Sequence, residues 1–255
     1  MMRFTVYIML SRSRLLFFSG AAASLILILA ASYLSGLYTF SSRREPSLEV
    51  SSEAMIKLPP PRYAGSMSVE EAIARRRSIR EYSSEPVLLE DLAQILWAAQ
   101  GITDPKWGLR AAPSAGATYP LEVYIVVGEG GVKGLEAGIY HYVPKEHGLR
   151  MVLKGDHRRP LSKAALEQAW VAAAPVDLVL AAVYERTTAR YGERGIRYVH
   201  MEAGHVGENI YLQATALGLG VVAVGAFSDE EVQRILNLSG DEKPLYIIPI
   251  GHPKR

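Results

Sequence analysis

The chain has no cysteine among its 255 residues. That absence removes disulfides, thiol nucleophiles, thiolate zinc sites and dithiol redox chemistry together, so any redox role must rest on a bound cofactor. Neither sign of charge is in excess: 28 Lys and Arg against 26 Asp and Glu leave a net +2, too small for a nucleic-acid surface. No internal repeat is present. His200 and His205, five apart on a predicted helix, stand about 140° apart around its axis and do not share a face as metal ligands would. What the chain does have is 49% hydrophobic and 21% charged residues, enough to bury one sizeable globular domain and too apolar for disorder.

Uncharged sequence is concentrated at the N-terminus. From Leu15 to Phe40 there is no Asp, Glu, Lys or Arg; as a helix this run would span about 39 Å, enough to cross a bilayer with tilt. Arg3, Arg12 and Arg14 precede it, and the run exceeds a signal-peptide apolar region, so an uncleaved single-pass anchor is expected. Arg43, Arg44 and Lys57 after the span nearly balance the arginines before it and leave the membrane face open. The expected organisation is a basic N-terminus over 1–14, a transmembrane helix over 15–40, a Ser- and Pro-rich linker over 41–66, and a folded domain over 67–255.

Within the domain, the spacing Ser68-Val69-Glu70-Glu71 predicts a capping box opening a short helix with Val69, Ala72 and Ile73 on its apolar face. Leu88, Leu89, Leu92, Ile95, Leu96 and Ala99 recur at helical spacing before a Gly101 stop. Strands are predicted over 121–127, 138–143, 176–184 and 245–250, and helices over 163–173, over 197–217 and after Ser228. This irregular order points to an α+β fold with a mixed sheet flanked by helices rather than repeated βαβ units.

The densest chemical signal is Arg75-Arg76-Arg77-Ser78-Ile79-Arg80, four guanidiniums and a hydroxyl where the first helix should end. A solvated, dipole-favoured helix end is one reading of it. In an extended segment, however, Ser78 and Arg80 point the same way while Ile79 turns inward, and arginine forks with a hydroxyl suit a phosphate. Two stretches of small residues could form walls for a flat ligand: Pro113-Ser114-Ala115-Gly116-Ala117-Thr118-Tyr119-Pro120, and Gly218 to Phe227 with a strand between its glycines. The second is not a dinucleotide fingerprint, because its glycines follow a helix instead of opening one. Gly128 to Gly134 misses the Walker spacing and precedes a strand, so it reads as a hairpin connection. Arg186, Arg190, Tyr191, Arg194 and Arg197 form a second basic and aromatic run, either a solvated face or a substrate-side lid. An anion site plus two walls for a planar ring, with no hydrolytic residue set, fits flavin mononucleotide (FMN).

The segments Arg76-Arg77-Ser78-Ile79-Arg80-Glu81-Tyr82, Pro113 to Pro120 and Gly218 to Phe227 resemble the nitroreductase superfamily, in particular its SagB/ThcOx-type dehydrogenase branch. Gly138 to Pro144, Arg190 to Tyr198 and Glu202-Ala203-Gly204-His205 are similar to that branch in order and spacing, over roughly residues 68–252. The resemblance implies a nitroreductase-like fold and a homodimer with FMN at the subunit interface, acting as an oxidoreductase on a small molecule or a peptide heterocycle. It assigns Arg76, Arg77, Ser78 and Arg80 to the phosphate and ribityl end, and Ser114, Ala115 and Gly116 to a loop contributed by the partner subunit. Val224, Gly225 and Ala226 fall beside the flavin ring, and Lys254 and Arg255 in the basic tail. Arg190-Tyr191 stands where the branch that oxidises peptide azolines carries a Lys-Tyr pair, and arginine stays protonated, leaving Tyr191 as the member able to exchange a proton. Classical nitroreductases carry asparagine where Ala117 stands, and a longer basic tail. A second reading is a flavin-free scaffold or binding subunit of a peptide-modifying complex.

Overall fold

The computed structural model describes residues 55–254. The anchor expected over 15–40 and the tail residue Arg255 lie outside the described residues; among those described, no helix is long and apolar enough to cross a membrane. A seven-stranded sheet forms the centre, in the order β1-β6-β5-β4-β7-β9-β8. Its strands are β1 (Ile56–Lys57), β4 (Leu121–Val127), β5 (Gly138–Val143), β6 (Gly148–Lys154), β7 (Val176–Val183), β8 (Gly220–Val221) and β9 (Glu242–Gly251). β2 (Ile102–Asp104) and β3 (Leu109–Arg110) form a separate hairpin. Every named strand pair is antiparallel. The mixed character expected of the sheet is confined to two isolated parallel bridges, Ser78–Val221 and Val87–Val132.

Strand periodicity builds two cores. Val123, Ile125, Val127, Leu178, Leu180, Ile248 and Ile250 face one side, and the alternate residues Tyr124, Val126, Val179, Ala181 and Ile247 face the other. Helices α2 (Leu89–Gln100) and α6 (Arg194–Ala216) cover the first face. Helices α3 (Arg158–Ala164), α4 (Ala169–Ala173) and α7 (Asp229–Leu236) cover the second. On α6 the stripe Val199, Ala203, Val206, Ile210 and Ala214 is buried throughout, at the 3–4 spacing that faces a core.

Several elements depart from the sequence reading. The helix expected over 163–173 is two short helices, because Leu166 and Glu167 adopt positive φ and break it. A separate helix α5 (Glu185–Tyr191) precedes α6, which begins three residues earlier than expected. The last strand runs on both sides of the expected 245–250. Residues assigned to the linker join the fold: Ile56 pairs with Leu149, Leu58 is buried, and the Pro59 carbonyl meets His147 Nε2 at 2.9 Å. On the first helix, α1 (Val69–Arg75), only Ala72 is buried; Val69 and Ile73, expected on its apolar face, are exposed.

Candidate functional site

The arginine segment begins where α1 ends. Ser68 caps the helix by accepting from the Glu71 N–H at 3.1 Å, and Arg76 is the C-cap. Arg75 is tied back to Glu71 by an exposed ion pair. Beyond it the chain runs extended along the sheet edge: Ser78 bridges Val221, and the Ile79 N–H donates to the Val221 carbonyl at 2.9 Å. Gly220 makes room for this approach, since a Cβ there would stand 2.7 Å from Ile79 Cβ. The alternation expected for 78–80 therefore holds, with Ile79 packed on the strand and Ser78 and Arg80 exposed. Among the described residues, none of Arg76, Arg77 and Arg80 forms an ion pair with a carboxylate.

The same segment is connected to the second small-residue stretch. Tyr211, on α6, accepts from the Ala223 N–H at 2.8 Å and its hydroxyl meets Ser78 Oγ at 3.0 Å, while the Arg76 guanidinium lies 5.1 Å from its ring centroid. Val224 exchanges backbone hydrogen bonds with Ile247, which leaves Gly225 and Ala226 exposed just past the bridge. Gln168 donates to the Ala226 carbonyl at 2.8 Å, and two residues on Trp170 supports the Arg80 guanidinium at 5.5 Å. Lys254 joins the group through its backbone: its N–H donates to the Glu81 carbonyl at 3.0 Å, beside Arg80. Arg76, Arg77, Ser78, Arg80, Gly225, Ala226 and Lys254 thus share one edge of the molecule, whereas the Val224 side chain is buried in the second core.

The remaining site residues form a second group. Ser114 Oγ accepts from the Tyr119 N–H at 2.9 Å and closes a tight loop, Ala115–Ala117, in which Gly116 has φ 62°. The predicted pair leans on this loop: Arg190 Nη1 donates to the Gly116 carbonyl at 3.2 Å, and a Cβ on Gly116 would stand 2.6 Å from Tyr191 Oη. The helix that carries the pair, α5, is fixed to the sheet by Arg186, which reaches Glu122 at 2.6 Å and the Tyr119 carbonyl at 3.2 Å. Burial alone would push the Glu122 carboxyl up, but His141 and Arg186 outweigh it and hold it below the usual range. Beneath the loop lies Glu202, almost fully buried. Burial pushes its carboxyl up, against the downward pull of Ser114, Gln100, Arg110 and His205.

These two groups do not meet within one chain. Ser114 faces Glu202 and Ser78 faces Tyr211, and the two α6 residues are nine apart. At 100° and 1.5 Å per residue they stand on opposite sides of the helix, about 14 Å apart along it. Tyr211, Trp170, Glu202 and Arg110 were not predicted. Tyr211 borders the buried stripe of α6, where an aromatic ordinarily signals packing, and nothing in the spacing sets its hydroxyl apart.

A model of the nitroreductase family matches residues 73–252. The chain belongs to the nitroreductase family. It is 50% identical to a nitroreductase-type protein of Methanocaldococcus jannaschii over 185 residues, 72% of this chain and 91% of that one. A solved nitroreductase-type structure from Ralstonia eutropha superimposes with a TM-score of 0.70 at 31% identity, covering 80% of this chain and 92% of the other. The microcin B17-processing protein of Escherichia coli is 28% identical over 155 residues, 59% of this chain and 56% of its own length. Nitroreductase-family membership makes the chain an oxidoreductase of a flavin-using family with an α+β fold. The residues present suit a flavin phosphate, because three arginines without carboxylate partners among the described residues and an exposed hydroxyl form an anion-selective donor set.

Proposed function

We propose that the protein is an FMN-dependent oxidoreductase of the SagB/ThcOx-type dehydrogenase branch, acting on a small molecule or a heterocycle-bearing peptide. The observation that carries this reading is the edge that holds Arg76, Arg77 and Arg80, without carboxylate partners among the described residues, together with exposed Gly225 and Ala226. Arg76, Arg77, Ser78 and Arg80, with Lys254 and Arg255 behind them, would hold the phosphate and ribityl end. Val224, Gly225 and Ala226 would line the ring. Bound FMN supplies the two-electron chemistry, a hydride passing to or from its N5. Tyr191 would exchange the substrate proton at its hydroxyl, while Arg190 donates to the Gly116 carbonyl and orients that loop.

A homodimer completes this site. Ser114, Ala115 and Gly116 cannot reach the arginine edge of their own chain, so they would close the site of a second copy, and Val69 and Ile73 give α1 an apolar face for a partner. The uncharged run over 15–40 would tether the domain to a membrane as a single-pass anchor.

The match to a microcin-processing protein is compatible with one further reading, a flavin-free scaffold or binding subunit of a peptide-modifying complex. Anaerobic reduction and reoxidation of FMN on the purified protein, against a panel of nicotinamide donors and nitro, quinone and azoline-peptide partners, separates the two. Turnover with at least one donor–acceptor pair is expected. A protein that retains no flavin, or whose flavin exchanges electrons with no partner, would refute the oxidoreductase reading.

A further inference from the structure

The Tyr211 hydroxyl joins two segments that both belong to the proposed flavin site. It has one proton and two lone pairs. One lone pair accepts from the Ala223 N–H at 2.8 Å, and the contact with Ser78 Oγ at 3.0 Å uses either the Tyr211 proton or the Ser78 proton. Only one of the two arrangements leaves a hydroxyl donor for a ligand at Ser78. If Tyr211 donates to Ser78, the serine proton is free for a ligand, and Ser78 is exposed and flanked along the chain by Arg76, Arg77 and Arg80. A phosphate there selects this arrangement, since a hydrogen bond to a charged acceptor is roughly twice as strong as one to a neutral acceptor. The ring adds a second function, because the Arg76 guanidinium lies 5.1 Å from its centroid.

We infer that Tyr211 is a positioning residue for the cofactor phosphate: it directs the Ser78 proton outward, supports Arg76, and ties both to the strand segment leading to Val224–Ala226. The inference rests on the flavin reading above. It goes beyond that reading in specifying a preference for FMN over riboflavin that passes through a residue without direct phosphate contact.

The test titrates the full-length protein with FMN and with riboflavin, which lacks the phosphate, by quenching of flavin fluorescence. Wild type, Tyr211→Phe, Ser78→Ala and the double variant are compared, with thermal melts alongside. Tyr211→Phe keeps the ring under Arg76 and removes only the hydroxyl. FMN affinity is expected to fall about tenfold while riboflavin affinity stays within about twofold. In the Ser78→Ala background, Tyr211→Phe should add little to the loss of preference for FMN over riboflavin, because the phosphate-directed effect of both passes through the Tyr211–Ser78 hydrogen bond. Equal weakening of both flavins, full additivity with Ser78→Ala, or no change in FMN affinity overturns the inference. If Tyr211→Phe does not fold, Ser78→Ala decides, and an undiminished preference for FMN over riboflavin overturns it. A wild type that binds both flavins equally overturns it together with the placing of the phosphate on the arginine edge and leaves flavin binding alone standing, whereas a wild type that binds neither refutes the flavin reading itself.

Discussion

At the scale of single residues, unpaired charge is what distinguishes the arginine cluster from an ordinary helix end. Arg75 behaves as a helix-terminal arginine, paired with Glu71 on the same helix. Arg80 instead rests on Trp170 and has no carboxylate partner among the described residues, so its hydrogen-bonding capacity is held ready. Arg80→Ala should weaken FMN binding by about 1.5 to 3 kcal/mol, and an unchanged dissociation constant in a fluorescence titration would remove Arg80 from the site. Gly116 is constrained from two directions, by φ 62° and by the Tyr191 hydroxyl 2.6 Å from where a Cβ would be. Gly116→Ala should therefore lower stability by about 1 to 2 kcal/mol in chemical denaturation and slow turnover by displacing Tyr191. Charge clustering of this kind is legible without coordinates, which is why Arg76, Ser78 and Arg80 could be named from sequence. Tyr211 and Trp170 could not, because an aromatic on a helix is recognised as a support only when the guanidinium above it is seen.

Among elements, α5 shows how the fold places chemistry. This seven-residue helix is too short to be stable alone and is held by Arg186 to Glu122, a carboxylate shared with His141. The Glu122 carboxyl lies below its ordinary value of 4.5, so its stabilisation is present above that pH and is lost as pH falls through the folded-state value. Glu122→Gln is expected to reduce turnover more than FMN affinity, since α5 carries Arg190 and Tyr191. Its stability deficit in thermal melts should shrink as the pH is lowered below 4.5; a deficit independent of pH would contradict this. Long periodic elements such as α2 and β4 were readable because every residue repeats one signal. The break between α3 and α4 was not, because it depends on tertiary bonds: Ser162 donates to the Gln168 carbonyl, and Gln168 donates to Ala226. β9 likewise outruns its sequence signal. Pro244 suggests an end, but it sits opposite Ala181 beside a register shift, where a missing N–H is tolerated.

The whole molecule carries a buried cost and an incomplete site. Asp177 on β7 is fully buried and, among the described residues, neither carboxyl oxygen has a hydrogen-bond partner. Burial pushes its carboxyl well above the ordinary value of 3.8, against the opposing field of Arg158. A raised carboxyl contributes stability that is full below 3.8 and is lost as pH rises through the folded value. Asp177→Asn should consequently flatten the decline of melting temperature with rising pH, and parallel wild-type and variant curves would refute that. The incompleteness is geometric, with the loop at Gly116 and the arginine edge on opposite sides of α6. Light scattering should accordingly give the mass of two chains, and a monomer that still binds FMN tightly would count against a shared site. Everything proposed for this molecule depends on the arginine edge holding FMN. The most direct measurement of this is the visible absorption spectrum of the purified protein after incubation with FMN and gel filtration. A flavin band that travels with the protein, and is lost in Arg80→Ala, is expected; a colourless protein would rule out FMN at this edge.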